Sequence, residues 1–488
     1  MKKLLNIFLI LLVVTGFNSC FDELLDPVPE TFISDLSAFE TEERIDAQIK
    51  GVYSSFKSGQ FLGGRFYIYN SIRGDDFLNL QANGVTGYQT WNHNLNPSSM
   101  EVQNLWHQVY AALNRVNMFI GGMEDYEEYL IGENIITQEA FDQYIGEALA
   151  LRGIAYHSLI QLYAQPYNKN PQLWGAILRI TPQRSSADND MPRSTLAETY
   201  TQILQDLNDA EALLPDVSGT NNDDFVTRVT RNTVVAYKTR VLLHMNDYAG
   251  VVTEGNKIVS TSAPFSSPSG VAHGLHNDFE EIFTNFTTSE SIFSIPMTAT
   301  EPPGTQNSLA YYFAAAPTGN NEYSINQESE LWTSNAFPED DVRIQLVLPG
   351  VGGASDEIFL DKFRDDLDWA PVIRYAEVIL NLAEAEANTN GFANDSRAVA
   401  LLNAVYLRSN PDEAPLGDFA SLDAFMDRLL LERNLEFLGE GLKNMDTQRT
   451  LGTHAAKENV EAVGPESNSY VWPISQGEFN TNSLVQPN

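Results

Sequence analysis

The sequence predicts a mainly α-helical protein, a scaffold of paired helices with large irregular loop insertions and little β-structure. The first observation is that apolar residues recur at spacings of three and four in several long segments, which is typical of amphipathic helices. The second is that successive helical segments have short connections, as the paired helices of an α-solenoid require. The third is that Phe61–Met100 and Ser262–Pro371 are polar and carry no sustained pattern. No fixed period of about 34 residues is present, so any tetratricopeptide character is heavily diverged.

The first half of the chain contains six segments with helical periodicity. They are Leu36–Phe56, Asn104–Ile120, Phe141–Tyr163, Thr195–Leu214, Asn232–Met245 and Asp247–Val259. Ser34 or Asp35 can cap the first of them. Before the fourth, Ser194 followed by Ala197 and Glu198 resembles a capping box, and Pro215 marks the end of that helix.

The second half of the chain has fewer helical segments and two strand-like ones. Val372–Ala387 and Ser396–Leu407 form another pair around Asn390–Gly391, and Ala424–Asn444 is the last long helix. Ser291–Met297 and Glu357–Phe363 favour short strands within the second polar region. The sequence therefore predicts helices that carry two large insertions.

The composition indicates a globular and strongly acidic protein. The chain has 488 residues, of which 43% are hydrophobic, and 29 Lys and Arg face 65 Asp and Glu for a net charge of −36. Such a hydrophobic content excludes disorder as the main state. A surface this acidic repels phosphate backbones and anionic lipid, so it argues against nucleic-acid binding and against docking flat on a membrane.

The N-terminus has the pattern of a secretory signal that ends at the only cysteine, Cys20. Lys2 and Lys3 precede the apolar stretch Leu4–Val14, which is too short to cross a bilayer. A lone cysteine cannot form a disulfide within the chain. We interpret residues 1–19 as a bacterial lipoprotein signal and Cys20 as the residue that receives the lipid, with residues 20–30 as a lipidated leader.

Motifs of the common enzyme classes are missing from the sequence. It contains no H-E-x-x-H, no G-x-S-x-G and no P-loop, and seven scattered histidines give no zinc-ligand spacing. We therefore expect neither a catalytic residue nor a metal or other cofactor. Glu432, Glu436 and Glu440 recur every four residues, and beside Arg433, Lys443 and Arg449 they are better explained as an ion-paired scaffold.

Aromatic residues in the two polar regions are the best candidates for ligand contact. Their rings cluster at Tyr67, Tyr69, Phe77, Tyr88 and Trp91, and again at Tyr311, Tyr312, Phe313, Tyr323 and Trp332. A flat ring offers an apolar surface to a sugar face, and nearby polar groups satisfy its hydroxyls. The alternative is that the rings form a satellite core under the loops. The predicted ligand contacts are Trp91 and Trp332, followed by Tyr88, Tyr311, Tyr312 and Asp76.

Several motifs resemble those of the SusD/RagB family of surface nutrient-binding lipoproteins. Pro371–Asn388 (PVIRYAEVILNLAEAEAN) is similar to that family's RYAEVLL-x-x-AEA helix. Glu432–Arg449 resembles its ER-x-x-E-x-x-x-EG-x-R-x-x-D-x-x-R segment, with Lys443 where arginine is usual. Tyr470–Ile474 (YVWPI) resembles the closing Y-L-W-P-I-P motif, and the helix around Glu147 and Arg152 resembles EA-x-x-LRA-x-x-Y.

The resemblance implies a non-enzymatic binding protein, anchored by lipid and facing outward on the outer membrane of a Gram-negative bacterium. It implies about four tetratricopeptide-like helix pairs, a SusD-like N-terminal region over residues 31–270 and a RagB/SusD C-terminal region over residues 271–488, interleaved in one compact body. The implied partner is a SusC-like TonB-dependent transporter, which the protein would cap. The implied ligand is an oligosaccharide or, as an alternative, a peptide. A hydrolase with an unrecognised carboxylate pair and a scaffold that binds only protein are less favoured.

Overall fold

Paired helices form the scaffold of the molecule. The structure is a computed structural model that describes residues 35–186, 189–217, 222–334, 338 and 340–488, so Cys20 and the leader lie outside the described residues. The helices up to residue 260 are α1 (Glu42–Phe56), α2 (Arg65–Ile72), α3 (Tyr88–Trp91), α4 (Met100–Asp125), α5 (Glu127–Gly132), α6 (Gln138–Tyr163), α7 (Leu196–Leu213), α8 (Asn222–Thr227), α9 (Arg231–His244) and α10 (Tyr248–Ile258). The later helices are α11 (Leu309–Phe313), α12 (Glu330–Thr333), α13 (Tyr375–Thr389), α14 (Arg397–Ser409), α15 (Leu422–Glu436), α16 (Leu442–Arg449) and α17 (Gln476–Thr481).

The long helices contact one another in pairs. In the described part of the chain, α1 packs on α4, α6 on α7, α9 on α10 and α13 on α14. Small residues let the backbones come close: a Cβ at Gly153 of α6 would lie 3.2 Å from Leu207 of α7. At Gly255 of α10, a Cβ would lie 3.1 Å from Leu382 of α13, where two successive pairs meet. The prediction of a mainly helical fold with little β-structure is confirmed.

Helix caps lie close to the predicted positions but use other residues. Thr41, rather than Ser34 or Asp35, caps α1 by accepting a hydrogen bond from the backbone N–H of Arg44. At α7 the capping box is formed by Thr195 and Glu198, each side chain accepting from the backbone N–H of the other residue. Both caps satisfy backbone N–H groups that the first turn of a helix leaves without partners.

Within the residues that the structure describes, the strands are short and form three antiparallel pairs. They are β1 (Phe77–Asn79), β2 (Ser291–Ile295), β3 (Tyr323–Ile325), β4 (Val347–Pro349), β5 (Ile358–Leu360) and β6 (Ala370–Arg374). β1 pairs with β3, β2 with β6 and β4 with β5. The predicted strand-like segments correspond to β2 and β5. The start of the predicted helix Val372–Ala387 is instead strand β6, which places Arg374 at the junction with α13.

The last predicted helix, Ala424–Asn444, is two helices. α15 ends at Glu436 and α16 begins at Leu442, because the chain turns between them through two glycines with positive φ, Gly439 (81°) and Gly441 (82°). Glycine adopts this left-handed backbone without the steric cost of a Cβ. The turn places α16 against α2.

One large hydrophobic core connects the two halves of the chain. Tyr163 of α6 and Tyr69 of α2 pack their rings on Trp472, with centroids 5.4 and 5.0 Å away. The backbone N–H of Trp472 also donates to the carbonyl of Leu162 at 2.7 Å. The YVWPI segment near the C-terminus is therefore part of the core of the N-terminal helices.

Candidate ligand-binding face

The two aromatic-bearing polar regions meet at one place on the molecule, through the pairing of β1 with β3. Phe77 lies opposite Ile325 and Asn79 lies opposite Tyr323. Beyond the strands, the Leu80 N–H donates to the carbonyl of Glu322 at 3.0 Å. We call the surface formed by residues 77–100 and 302–334 the loop face.

Arg65 on α2 fastens the two sides of the loop face together. Its guanidinium donates from Nη1 to the carbonyl of Val85 at 2.6 Å and from Nη2 to the carbonyl of Gln306 at 3.0 Å. Its Nε donates to Oδ1 of Asn307 at 2.8 Å. Arg65 is only 4% exposed. Its guanidinium therefore binds groups within the protein and is not accessible to a ligand.

Two of the predicted contact rings, Trp91 and Tyr312, are buried beneath the loop face. Trp91 is 2% exposed and its Nε1 donates to the carbonyl of Phe77 at 2.8 Å. Tyr312 is fully buried and its hydroxyl donates to the carbonyl of Gln306 at 3.0 Å. The prediction that these rings contact ligand directly is corrected, because their flat faces are covered by protein and their polar atoms already have partners.

Tyr88, Tyr311 and Trp332 are the predicted rings that keep part of their surface exposed. Tyr88 stacks on Trp91 with ring centroids 5.9 Å apart and an interplanar angle of 21°. The hydroxyl of Tyr311 accepts a hydrogen bond from Nε2 of Gln306 at 3.0 Å. The buried ring of Trp91 thus supports the Tyr88 ring, and Gln306 anchors the hydroxyl of Tyr311.

Asp76 is also a buried structural residue rather than a direct ligand contact. Its carboxylate is 1% exposed and accepts from Nδ2 of Asn434 at 3.0 Å, with the Lys443 ammonium 3.5 Å from its other oxygen. Burial raises the pKa of the Asp76 carboxyl. The prediction of Asp76 as a contact residue is corrected because no ligand can reach its oxygens in this structure.

Asp75, the residue before Asp76, opens onto a polar cleft. The cleft has a volume of about 250 Å³, and its walls include Glu330, Asn434, Lys443 and Asp446. Glu330 begins α12, the short helix that also carries Trp332. A small polar cleft is therefore located where α12 meets α15, next to the loop face.

The three regularly spaced glutamates belong to a buried network of ion pairs. The guanidinium of Arg343 donates to Glu432 at 2.6 Å, that of Arg408 to Glu436 at 2.6 Å and that of Arg374 to Glu440 at 2.7 Å. The scaffold interpretation is confirmed, but the predicted partners are wrong. Arg433 and Arg449 pair instead with Asp446 and Glu384, and Lys443 pairs with Asp75 and Asp76.

The ionisation of Glu436 explains why this network is unsuited to acid catalysis. Burial alone raises the pKa of Glu436, but Arg408, Arg374 and Arg343 outweigh burial and hold the pKa at about 2. A general acid needs a carboxyl that is protonated near neutral pH. Glu436 is therefore a permanent charge that fixes α15 against β6 and α14.

Within the described residues, exposed or partly exposed aromatic side chains outside the two predicted clusters include Trp174, Phe286 and Trp369. Trp174, in the loop after α6, is 41% exposed. Phe286 and Trp369 stack with centroids 5.2 Å apart and both stay partly exposed. Trp174 lies outside the two aromatic clusters of the sequence. Phe286 and Trp369 are far apart in sequence, so no local sequence pattern predicts that their rings stack.

Metal and membrane features are absent from the described part of the chain. No group of three or more His, Cys, Asp or Glu side chains there has an arrangement that would hold a metal ion. Within the described residues, none of the helices combines the length and the apolar character that crossing a bilayer demands.

The comparisons with known proteins agree with this architecture. Residues 25–243 match the model of a family described as starch-binding and associating with the outer membrane, and residues 362–488 match the SusD family model. A SusD superfamily protein from Bacteroides fragilis is 32% identical, with a TM-score of 0.80 over 92% of this chain and 99% of its own. The chain belongs to the SusD family.

Other SusD relatives extend over nearly the whole chain. A SusD-like protein of Formosa agariphila is 24% identical over 97% of both chains. A solved structure described as a laminarin-binding SusD-like protein has a TM-score of 0.69 at 20% identity over 92% of this chain and 99% of its own, and thus shares the fold. SusD family members are carbohydrate-binding proteins and not enzymes.

Proposed function

We propose that this SusD-family protein captures oligosaccharides at the cell surface and delivers them to a SusC-like TonB-dependent transporter for import. The observation that carries the proposal is the loop face, where half-buried rings lie among amide side chains on a rigid helical scaffold. Tyr88, Tyr311 and Trp332 supply ring surface, and the exposed side chains of Gln81 and Asn320 in the same two segments supply hydrogen-bonding groups. The laminarin-binding relative with the same fold supports a glycan as the ligand.

Truncating the exposed rings is the direct test of this site. We expect Tyr88→Ala, Tyr311→Ala and Trp332→Ala each to weaken glycan binding about tenfold, because desolvating one ring against a sugar contributes about 1–2 kcal/mol. Binding is measured by titration calorimetry with laminarin, maltoheptaose and the glycans selected from an array. Trp174→Ala is the matched control, since it removes an exposed tryptophan outside the loop face.

The Trp174→Ala control also shows which result would contradict ligand binding at the loop face. If Trp174→Ala abolishes binding while the three loop-face variants bind normally, the ligand site lies elsewhere on the molecule. Circular dichroism on each variant separates a lost contact from a lost fold.

A peptide is the alternative ligand, because exposed rings and amides also suit an extended backbone. A peptide library run beside the glycan array distinguishes the two. If the protein binds peptides and no glycan, the proposed role as the cap of a transporter stays, and the ligand is a peptide instead of an oligosaccharide.

Membrane attachment is proposed to depend on Cys20, which lies outside the described residues. We expect Cys20→Ala to move the protein from the membrane fraction to the soluble fraction with its fold unchanged, since stable anchoring requires the acyl chains. The unaltered, lipidated protein should co-purify with a TonB-dependent barrel after gentle detergent extraction. A tether raises the local concentration of the two partners, so a modest interface suffices. Sedimentation of Cys20→Ala with membranes in high salt would contradict the anchor.

A further inference from the structure

The two segments that build most of the loop face contain no charged residue. Residues 77–100 and 302–321 have no Asp, Glu, Lys or Arg. At the average of 19% charged residues for this chain, these 44 residues would carry about eight. In a protein with a net charge of −36, two uncharged segments far apart in sequence are unusual, and the fold brings them together.

Carboxamide side chains take the place of charges in both segments. The first segment has five asparagines and two glutamines, and the second has three asparagines and one glutamine. Gln81, Asn94, Asn96 and Asn320 are exposed. A carboxamide both donates and accepts hydrogen bonds, as a sugar hydroxyl does.

Contacts across the loop face place these amides side by side. Nε2 of Gln81 donates to the carbonyl of Asn321 at 3.2 Å, and Nδ2 of Asn320 donates to Oε2 of Glu322 at 3.0 Å. Oε1 of the same Glu322 accepts from the hydroxyl of Thr86 in the first segment. The two uncharged segments therefore form a continuous surface.

The charged side chains that contact these segments are mostly buried and already paired. Arg65, Glu101, Glu322 and Lys457 are at most 4% exposed. The Lys457 ammonium, the cation above the Trp91 ring, donates to the backbone carbonyls of Ile72 and Gly74. No ligand can reach these cations without breaking the contacts that hold the loop face together.

Three exposed carboxylates adjoin the uncharged segments 77–100 and 302–321. Asp366 accepts a hydrogen bond from the hydroxyl of Ser308, and Glu328 and Glu330 follow β3. An anionic ligand would meet these carboxylates and lose its own hydration without a cation in return. A neutral ligand incurs neither cost.

We propose that the loop face selects neutral glycans and discriminates against sulfated and uronic-acid polysaccharides. The proposal rests on the proposed function and narrows its substrate class. Selection arises from amide hydrogen bonds and ring contacts on an uncharged surface, combined with repulsion from the adjoining carboxylates.

Matched polysaccharides test the proposal. Laminarin, amylose and dextran are each compared with their carboxymethylated derivatives, which keep the backbone and add carboxylates. We expect the glucan that binds to be bound at least tenfold more tightly than its carboxymethylated form. We also expect its affinity to stay within about twofold between about 50 mM and about 500 mM NaCl, because no ion pair contributes.

A variant that gains affinity for an anionic glycan tests the selection of neutral glycans without depending on a loss of binding. Gln81→Lys places a cation on the loop face and should tighten binding of the carboxymethylated glucan at least threefold relative to the neutral one. Gln172→Lys adds the same charge at another exposed glutamine, in the loop before Trp174, and should leave that ratio unchanged.

The outcomes separate this inference from the proposed function. Preferential binding of carboxymethylated, sulfated or uronic-acid glycans by the unaltered protein would overturn the selection of neutral ligands and leave glycan capture intact. An unchanged ratio for Gln81→Lys would likewise overturn it. Binding of peptides with no glycan bound would overturn the proposed function, and this inference with it.

Discussion

Five buried histidines in the described part of the chain are protonated less readily in the folded protein than in the unfolded chain. Burial lowers the pKa of His273 from 6.5 to about 4 and that of His93 to about 2, and it also lowers the pKa values of His157, His244 and His454. Below about pH 6.5 the unfolded chain therefore binds protons that the folded protein excludes. The free energy of unfolding consequently falls as the pH drops.

Replacing His273 should reduce this pH dependence. The wild-type protein should lose about 3 kcal/mol at this one residue between pH 6.5 and about pH 4, because each pKa unit corresponds to about 1.4 kcal/mol. His273→Gln has no proton to gain, so its free energy of unfolding should change less over that range. Urea denaturation at several pH values measures the difference. A slope for His273→Gln equal to that of the wild-type protein would contradict the assignment.

The sequence predicts which regions carry the candidate aromatic residues, but not which of these rings are exposed. Composition correctly singled out two regions that the fold brings together. It could not separate Trp91 from Tyr88, because the two rings lie three residues apart on one short helix and stack on each other, with Trp91 buried and Tyr88 partly exposed. The Trp91 ring is covered in part by Lys457, more than three hundred residues away in sequence, and no local pattern encodes that neighbour.

Among the elements, the turn between α15 and α16 depends on glycine at a defined position. Gly441 has a φ of 82°, and a Cβ there would lie 2.9 Å from the Cα of Tyr67 on α2. Any other residue would be strained by the backbone and would also push α2 away.

Gly441→Ala should therefore destabilise the protein by about 2 kcal/mol or more. Gly132→Ala is the matched control, because a Cβ at the end of α5 meets nothing within 4 Å. The control should be neutral or slightly stabilising, as expected for glycine replaced by alanine in a helix. The melting temperatures of both variants are measured by thermal unfolding. Equal melting temperatures for Gly441→Ala and Gly132→Ala would contradict the strain expected at Gly441.

Helical periodicity predicted α1, α4 and α7 well because one face of each packs on the core, whereas α6 and α9 are buried on nearly all sides. It failed at α15–α16 for a physical reason. Glu432, Glu436 and Glu440 continue the helical spacing through the turn, since each of them pairs with a cation inside the protein. The regular spacing of these charges reflects the buried network and not one continuous helix.

At the scale of the whole molecule, the proposed regions 31–270 and 271–488 depend on each other. β1 in the first region pairs with β3 in the second, and α10 packs on α13. In the core, the rings of Tyr69 and Tyr163 pack against the ring of Trp472. Each region alone would expose these surfaces to water.

We expect neither residues 31–270 nor residues 271–488 to unfold cooperatively when produced alone, whereas residues 31–488 should show a single transition. Differential scanning calorimetry and near-ultraviolet circular dichroism measure both. Two separate cooperative transitions, each reproduced by one fragment, would show that the regions are independent folding units.

The Arg65 contact with Gln306 joins groups that are 241 residues apart in sequence. Contacts of this range form late, because closing so long a loop is entropically costly until other structure holds the ends together. A chain that emerges from its N-terminus therefore has Tyr88 in place long before Tyr311 exists to complete the surface. Under the proposed function, glycan binding would then report on completed folding, since a partly folded chain lacks the finished loop face.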